Sequence, residues 1–163
     1  MLDVDDTAGR DRLAAALGVQ RWVDEVAAGS PYASLQALLD AADAAAATLT
    51  NAELDEALGQ HPRIGEQHEG QGPAAELSAA EQAGLDRGDE GVDAAIRRGN
   101  AVYEDRFGRV FLVRAAGRTR AEVLDELQRR LKNDPADETD EAKDQLRQIM
   151  VLRLRAQFTD EVA

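Results

Sequence analysis

The sequence predicts an all-α fold: a single-domain, compact helical bundle of about seven to nine helices over residues 1–163, with one short extended segment near residues 109–116. Three features predict it. Alanine is abundant while β-branched and aromatic residues are sparse, the aromatics making up only 4 % of the chain, which favours helix over strand. Apolar positions recur at spacings of three and four, the period of one helix face. Hydroxyl residues are followed three positions later by glutamate at Thr50 and Glu53, Ser78 and Glu81, and Thr119 and Glu122, the capping-box pattern of a helix start. A chain of 163 residues is the size of one domain and buries roughly two thirds of its unfolded surface in one core. No internal repeat or linker divides it.

Taken in order, the first helix is expected over roughly Val4 to Leu17, with Leu13, Leu17 and then Trp22 giving apolar contacts. In "SPYASLQALLDAADAAAATLT" Ser30 is the expected N-cap and Pro31 the first helical residue, where proline loses no helical hydrogen bond; that helix runs to about Leu49. The Thr50 helix ends near Leu58 and Gly59. In "GQHPRIGE" His61 precedes Pro62, and residues before proline avoid the α region, so His61 is expected on a stiff extended exit loop. A short helix follows between "EGQGPAAE" and "GLDRGDEG". A longer one runs from about Gly91 through "RGNAVYEDRFG" and closes at Gly108. "RVFLVRAAG" is the short extended apolar run. The Thr119 helix reaches Leu131, "NDPAD" breaks the chain, and Pro135 opens a last helix to about Phe158 with Leu146, Ile149, Leu152 and Phe158 inward.

Charge and composition exclude several functions. Lys and Arg number 19 against 32 Asp and Glu, a net charge of −13 that repels phosphate backbones and anionic lipid, so neither nucleic acid nor membrane is an expected partner. No stretch approaches the roughly 20 apolar residues of a membrane span, and the start "MLDVDDTAGR" is acidic where a signal peptide is basic, so the expected location is cytoplasmic. The absence of cysteine removes disulfides, thiolate catalysis and cysteine zinc sites. His61 and His68, separated by Pro62 and Gly65, match no zinc spacing, so no metal is expected.

The remaining chemistry rests on few residues. A histidine with an ordinary pKa of about 6.5 moves protons near neutrality, and His61 on a loop fixed by proline suits an acid or base, although many loop histidines are only surface residues. Ser78, Glu81 and Gln82 in "SAAEQ" place a hydroxyl, a carboxylate and an amide at one helix N-terminus, as a cap and equally as a rim for an anionic ligand. Asn100, Tyr103, Arg106 and Phe107 at helical spacing read as a packed face with an ion-paired arginine. Arg153 and Arg155 in "LRLRAQF" each carry a planar fork able to hold a carboxylate or ureido group, and each also reads as a solvated helix residue.

Together and in order, the strings "HPRIGE", "LSAAEQAGL", "GNAVYEDRFGRVFLVRAAGR", "VLDELQRRLKND" and "QLRQIMVLRL" resemble the 2-oxo-4-hydroxy-4-carboxy-5-ureidoimidazoline (OHCU) decarboxylases of urate degradation. A weaker likeness continues upstream through "RWV" and "SPYASLQALLDAAD". The resemblance implies a cofactor-free, all-α homodimeric lyase that converts OHCU to (S)-allantoin. It places the family's catalytic histidine on His61, its glutamate on Glu81, and its last-helix arginine on Arg153 rather than Arg155. It also implies substrate contacts from Pro62, Ser78 and Gln82, and main-chain contacts from Phe111 to Ala115, among them Phe111, Val113 and Ala115. The family commonly has cysteine where this chain has Arg114, and Arg-Pro-Phe where it has "SPY". The rival expectation is a non-catalytic acidic helical interaction module, which the charge excess alone would suit.

Overall fold

In the computed structural model, which describes residues 1–59 and 90–159, seven helices run through the described residues: α1 (Thr7–Ala16), α2 (Gln20–Ala28), α3 (Leu35–Ala46), α4 (Asn51–Leu58), α5 (Glu90–Phe107), α6 (Arg120–Arg130) and α7 (Pro135–Phe158). No strand occurs among the described residues, only an isolated antiparallel bridge between Leu2 and Tyr32. The all-α expectation holds. The predicted short helix and the Ser78 start lie outside the described residues. The chain divides into two compact units, Met1–Ala57 with Leu146–Ala163, and Leu58–Gln145.

In the first unit, α1 starts later than expected because Asp6 caps it: its carboxylate accepts from Gly9 N–H at 2.6 Å, leaving Val4 buried outside the helix. A Cβ at Gly9 would lie 2.5 Å from the Val4 Cα, so only glycine lets the entering chain cross the helix here. The helix α2 was not expected as a separate element. Its apolar face supplies Trp22, Val23 and Val26 to the core, and Trp22 Nε1 donates to the Ala42 carbonyl of α3 at 2.9 Å. Ser30 and Pro31 do not open α3. The N-cap is Ser34, whose hydroxyl accepts from Ala37 N–H at 3.1 Å, and the helix ends at Ala46 rather than near Leu49. The Ser30 hydroxyl is committed elsewhere, accepting from Val4 N–H at 2.8 Å and donating to Asp3 Oδ1 at 2.9 Å, beside the cis Ser30–Pro31 peptide.

The capping box that opens α4 is complete. Glu53 N–H donates to Thr50 Oγ1 at 3.1 Å and Thr50 N–H donates to Glu53 Oε1 at 3.0 Å. Arg21 of α2 joins the same carboxylate through Nε at 2.6 Å, and this guanidinium holds the Glu53 carboxyl below its ordinary value. A carboxylate depressed in the folded state stabilises above its unfolded pKa, about 4.3 for Glu, and that contribution is lost as pH falls through the lower folded value. Glu53→Gln is therefore expected to lower the thermal midpoint at pH 7, with the gap to the unaltered chain narrowing below about pH 4. Melting curves of both chains from pH 7 to pH 3 check this, and a gap independent of pH would contradict it.

In the second unit α5 packs on α6. Ile96, Tyr103, Phe111, Val113, Ala115, Val123 and Leu127 form its buried apolar cluster. Gly108 ends α5 at φ +72°, a left-handed conformation that favours glycine. The stretch 108–119 carries neither helix nor strand, where the extended segment was expected. Thr119 then caps α6, its hydroxyl accepting from Glu122 N–H at 3.1 Å. The Asp134 carboxylate accepts from Asp137 N–H at 2.8 Å, which leaves Pro135 as the first residue of α7.

Two side-chain expectations need correction. Leu152 is 38 % exposed, because Leu146, Ile149, Met150, Arg153 and Leu154 make up the inward stripe of α7 and Leu152 falls well to one side of it. Among the described residues Arg106 makes no ion pair, contrary to expectation: it is exposed, donates to the Asn133 carbonyl at 2.7 Å, and lies 4.9 Å from the Phe107 ring centre. Asn100 and Tyr103 do form a packed face, at 5 % and 0 % exposure.

Candidate functional site

Arg153, on the inward stripe of α7 in the first unit, is 4 % exposed. Its Nη1 donates to the Ala15 carbonyl near the C-terminus of α1 at 3.0 Å. A helix C-terminus concentrates carbonyl dipoles, so a buried guanidinium there finds compensation for part of its lost hydration. Arg155, two residues on and so roughly 200° around the helix, is exposed. The two arginines therefore occupy different environments, and only Arg153 directs its fork into the interior of its unit.

Phe111, Val113 and Ala115 belong to the second unit and are buried in one apolar cluster. Their main chain is held by groups that sequence reading did not single out. Arg130 at the end of α6, 1 % exposed, donates through Nη1 to the Leu112 carbonyl at 2.5 Å, and its guanidinium lies 4.7 Å from the Phe111 ring centre. Gln145 of α7 accepts from Arg114 N–H through Oε1 at 2.8 Å. Thus two side chains fix two main-chain groups, two residues apart, in the segment.

Arg130 is itself fixed by Glu138 in the first turn of α7, also 1 % exposed. Glu138 Oε1 accepts from Arg130 Nε at 2.8 Å, from Arg130 Nη2, and from the Tyr103 hydroxyl at 2.5 Å, while Oε2 accepts from Asn133 Nδ2 at 3.1 Å. Buried charges survive when paired and fully hydrogen-bonded, and this carboxylate meets both conditions. Burial, and next the hydrogen bond to Glu138, push the Tyr103 hydroxyl well above its ordinary pKa, so it stays a neutral donor. The signal in the sequence was faint: Arg130 and Glu138 read as two more charges on a highly charged chain, and only the fold brings Tyr103 to them.

His61, Pro62, Ser78, Glu81 and Gln82 lie outside the described residues, as does His68. Among the described residues, no helix is long and apolar enough to cross a membrane.

Comparison with known proteins bears on this arrangement. Residues 3–155 match the family model described as OHCU decarboxylase. The 2-oxo-4-hydroxy-4-carboxy-5-ureidoimidazoline decarboxylase of Amia calva is 40 % identical over 74 residues, which cover 45 % of this chain and 42 % of that protein. The uric acid degradation bifunctional protein TTL of Arabidopsis thaliana is 26 % identical over 156 residues, 94 % of this chain and 48 % of that protein. The chain spans about half the length of the curated relatives it matches. Among solved structures, a crystal structure of OHCU decarboxylase in the presence of (S)-allantoin is similar with a TM-score of 0.75 at 23 % identity, covering 91 % of this chain and 98 % of that one. A crystal structure of (S)-allantoin synthase is similar with a TM-score of 0.69 at 17 % identity, over 94 % of this chain and 52 % of that one. At these identities the likeness is one of fold.

Proposed function

Since the chain belongs to the OHCU decarboxylase family, we propose that it decarboxylates OHCU to (S)-allantoin in urate degradation, without a cofactor. The observation that carries this reading is the match of the family model to residues 3–155, nearly the whole chain. The crystal structure solved in the presence of (S)-allantoin supports the same product class.

The chemistry asks for little. Breaking the bond to the carboxylate carbon releases CO2 and leaves its electron pair on the ring carbon, where the adjacent ring C=N delocalises it. The ring nitrogen takes up a proton, the hydroxyl on the decarboxylated carbon gives up its own as that carbon becomes a carbonyl, and a proton goes to the adjacent ureido-bearing carbon from one face; the face chosen sets the enantiomer. His61 is the group that moves this proton, being able to do so near neutral pH. Glu81 hydrogen-bonds the substrate or the imidazole and so fixes their geometry. Arg153 holds a carboxylate or carbonyl oxygen of the substrate through its planar fork. Ser78 and Gln82 hydrogen-bond substrate groups, and Pro62 stiffens the histidine's mounting, which favours delivery to a single face. The main chain of Phe111 and Val113 offers N–H and C=O groups to the amide and ureido edges, and Ala115, whose carbonyl accepts from Arg118 N–H at 3.1 Å, offers its N–H. The working form is a cytoplasmic homodimer.

Steady-state kinetics on freshly generated OHCU test this assignment through the two arginines. Arg153→Lys keeps the charge and loses the fork, and is expected to lower kcat/KM by at least about tenfold. Arg155→Lys, at an exposed position, is expected to be nearly silent. The reverse pattern would remove Arg153 from the site, and an unaltered chain that does not accelerate OHCU decay would remove the activity.

A further inference from the structure

The segment between α5 and α6 is tied at Leu112 C=O by Arg130 and at Arg114 N–H by Gln145. The two ties fall on either side of Val113, and the Ala115 carbonyl is taken by Arg118 N–H at 3.1 Å. Among the described residues, neither Phe111 nor Val113 makes a main-chain hydrogen bond. Both ties lead back to α7. Gln145 makes one directly, and Glu138 makes the other by clamping Arg130. These two α7 residues are seven apart, two turns, and so share a helix face.

We propose that Arg130 and Gln145 are positioning residues for the decarboxylation, fixing the 111–115 main chain so that the N–H and C=O groups of Phe111 and Val113 are presented to the ureido and ring amide groups of the substrate. This rests on the decarboxylase reading above, in which that segment meets substrate. A flat ureide offers donors and acceptors along its edge, and main-chain groups match them only while the segment that carries them is held in place. Neither Arg130 nor Gln145 need touch the substrate to do this. Each controls how those main-chain groups are presented.

The test compares Gln145→Met, which removes the acceptor at nearly constant volume, with Gln145→Glu, which keeps one, using fresh OHCU. Gln145→Met is expected to lower kcat/KM at least about fivefold and to reduce the enantiomeric excess of the allantoin formed, with the thermal midpoint within about 2 °C of the unaltered chain. Gln145→Glu should recover kcat/KM to within about twofold. Arg130→Lys, which pairs with Glu138 but cannot also reach Leu112, should repeat the Gln145→Met pattern; if its helical content shows that it does not fold, the Gln145 pair decides. Unchanged kcat/KM and enantiomeric excess in Gln145→Met, or a loss that Gln145→Glu does not restore, would overturn the proposal and leave the decarboxylase reading standing. An unaltered chain without turnover would overturn both.

Discussion

His61→Asn is expected to lower kcat on OHCU by at least about a hundredfold, the smallest effect consistent with losing a general acid or base. His61→Ala should do the same. Helical content and thermal midpoint should stay close to those of the unaltered chain, because the sequence expects His61 on an exit loop, where a side chain contributes little packing. Circular dichroism spectra, melting curves and initial rates on fresh substrate check all three quantities. Retained turnover with a marked loss of stability would show that His61 is a structural residue, and the proton would then need another carrier.

Glu138→Ala is expected to produce the largest loss of stability, about 3–5 kcal/mol, because it leaves the buried Arg130 charge without its counter-ion. The Arg130 and Glu138 side chains are only 1 % and 2 % exposed, so water cannot replace the lost partner cheaply. The same change removes the acceptor of the buried Tyr103 hydroxyl. Combining Arg130→Met with Glu138→Leu should cost less than Glu138→Ala alone, since no isolated charge then remains in the interior. Urea unfolding of the single and double variants measures the difference. A double variant less stable than the single one would mean that the pair itself, and not the orphaned charge, carries the energy.

The elements that could be read from the sequence are those set by local chemistry. Thr50 with Glu53, Thr119 with Glu122, Pro135 and Gly108 each act within four residues of themselves, and each marks the helix end or start expected of it. Ser30 was misread for the opposite reason. Its hydroxyl is taken by Val4 and Asp3, 26 and 27 residues away, so the local cap passed to Ser34. Leu152 was assigned inward on hydropathy, whereas the inward stripe of α7 admits Arg153, whose fork donates to the end of α1. Arg130, Glu138 and Gln145 escaped notice because their meaning depends on Leu112, Tyr103 and Arg114, contacts 18 to 35 residues distant in the chain. His61 and Glu81 stand out by residue type and local setting, a histidine before proline and a carboxylate in a capping box, while their proposed catalytic roles rest on the motif strings.

Stereochemistry of the product tests the central claim most directly. Uncatalysed decay of OHCU has no chiral catalyst to choose the protonated face, so it yields racemic allantoin, whereas protonation within a fixed site delivers the proton to one face. Circular dichroism of freshly generated OHCU, followed with and without the protein at equal substrate consumption, is expected to show optically active (S)-allantoin only when the protein is present. A racemic product at all protein concentrations, with no acceleration over spontaneous decay, would contradict the decarboxylase assignment.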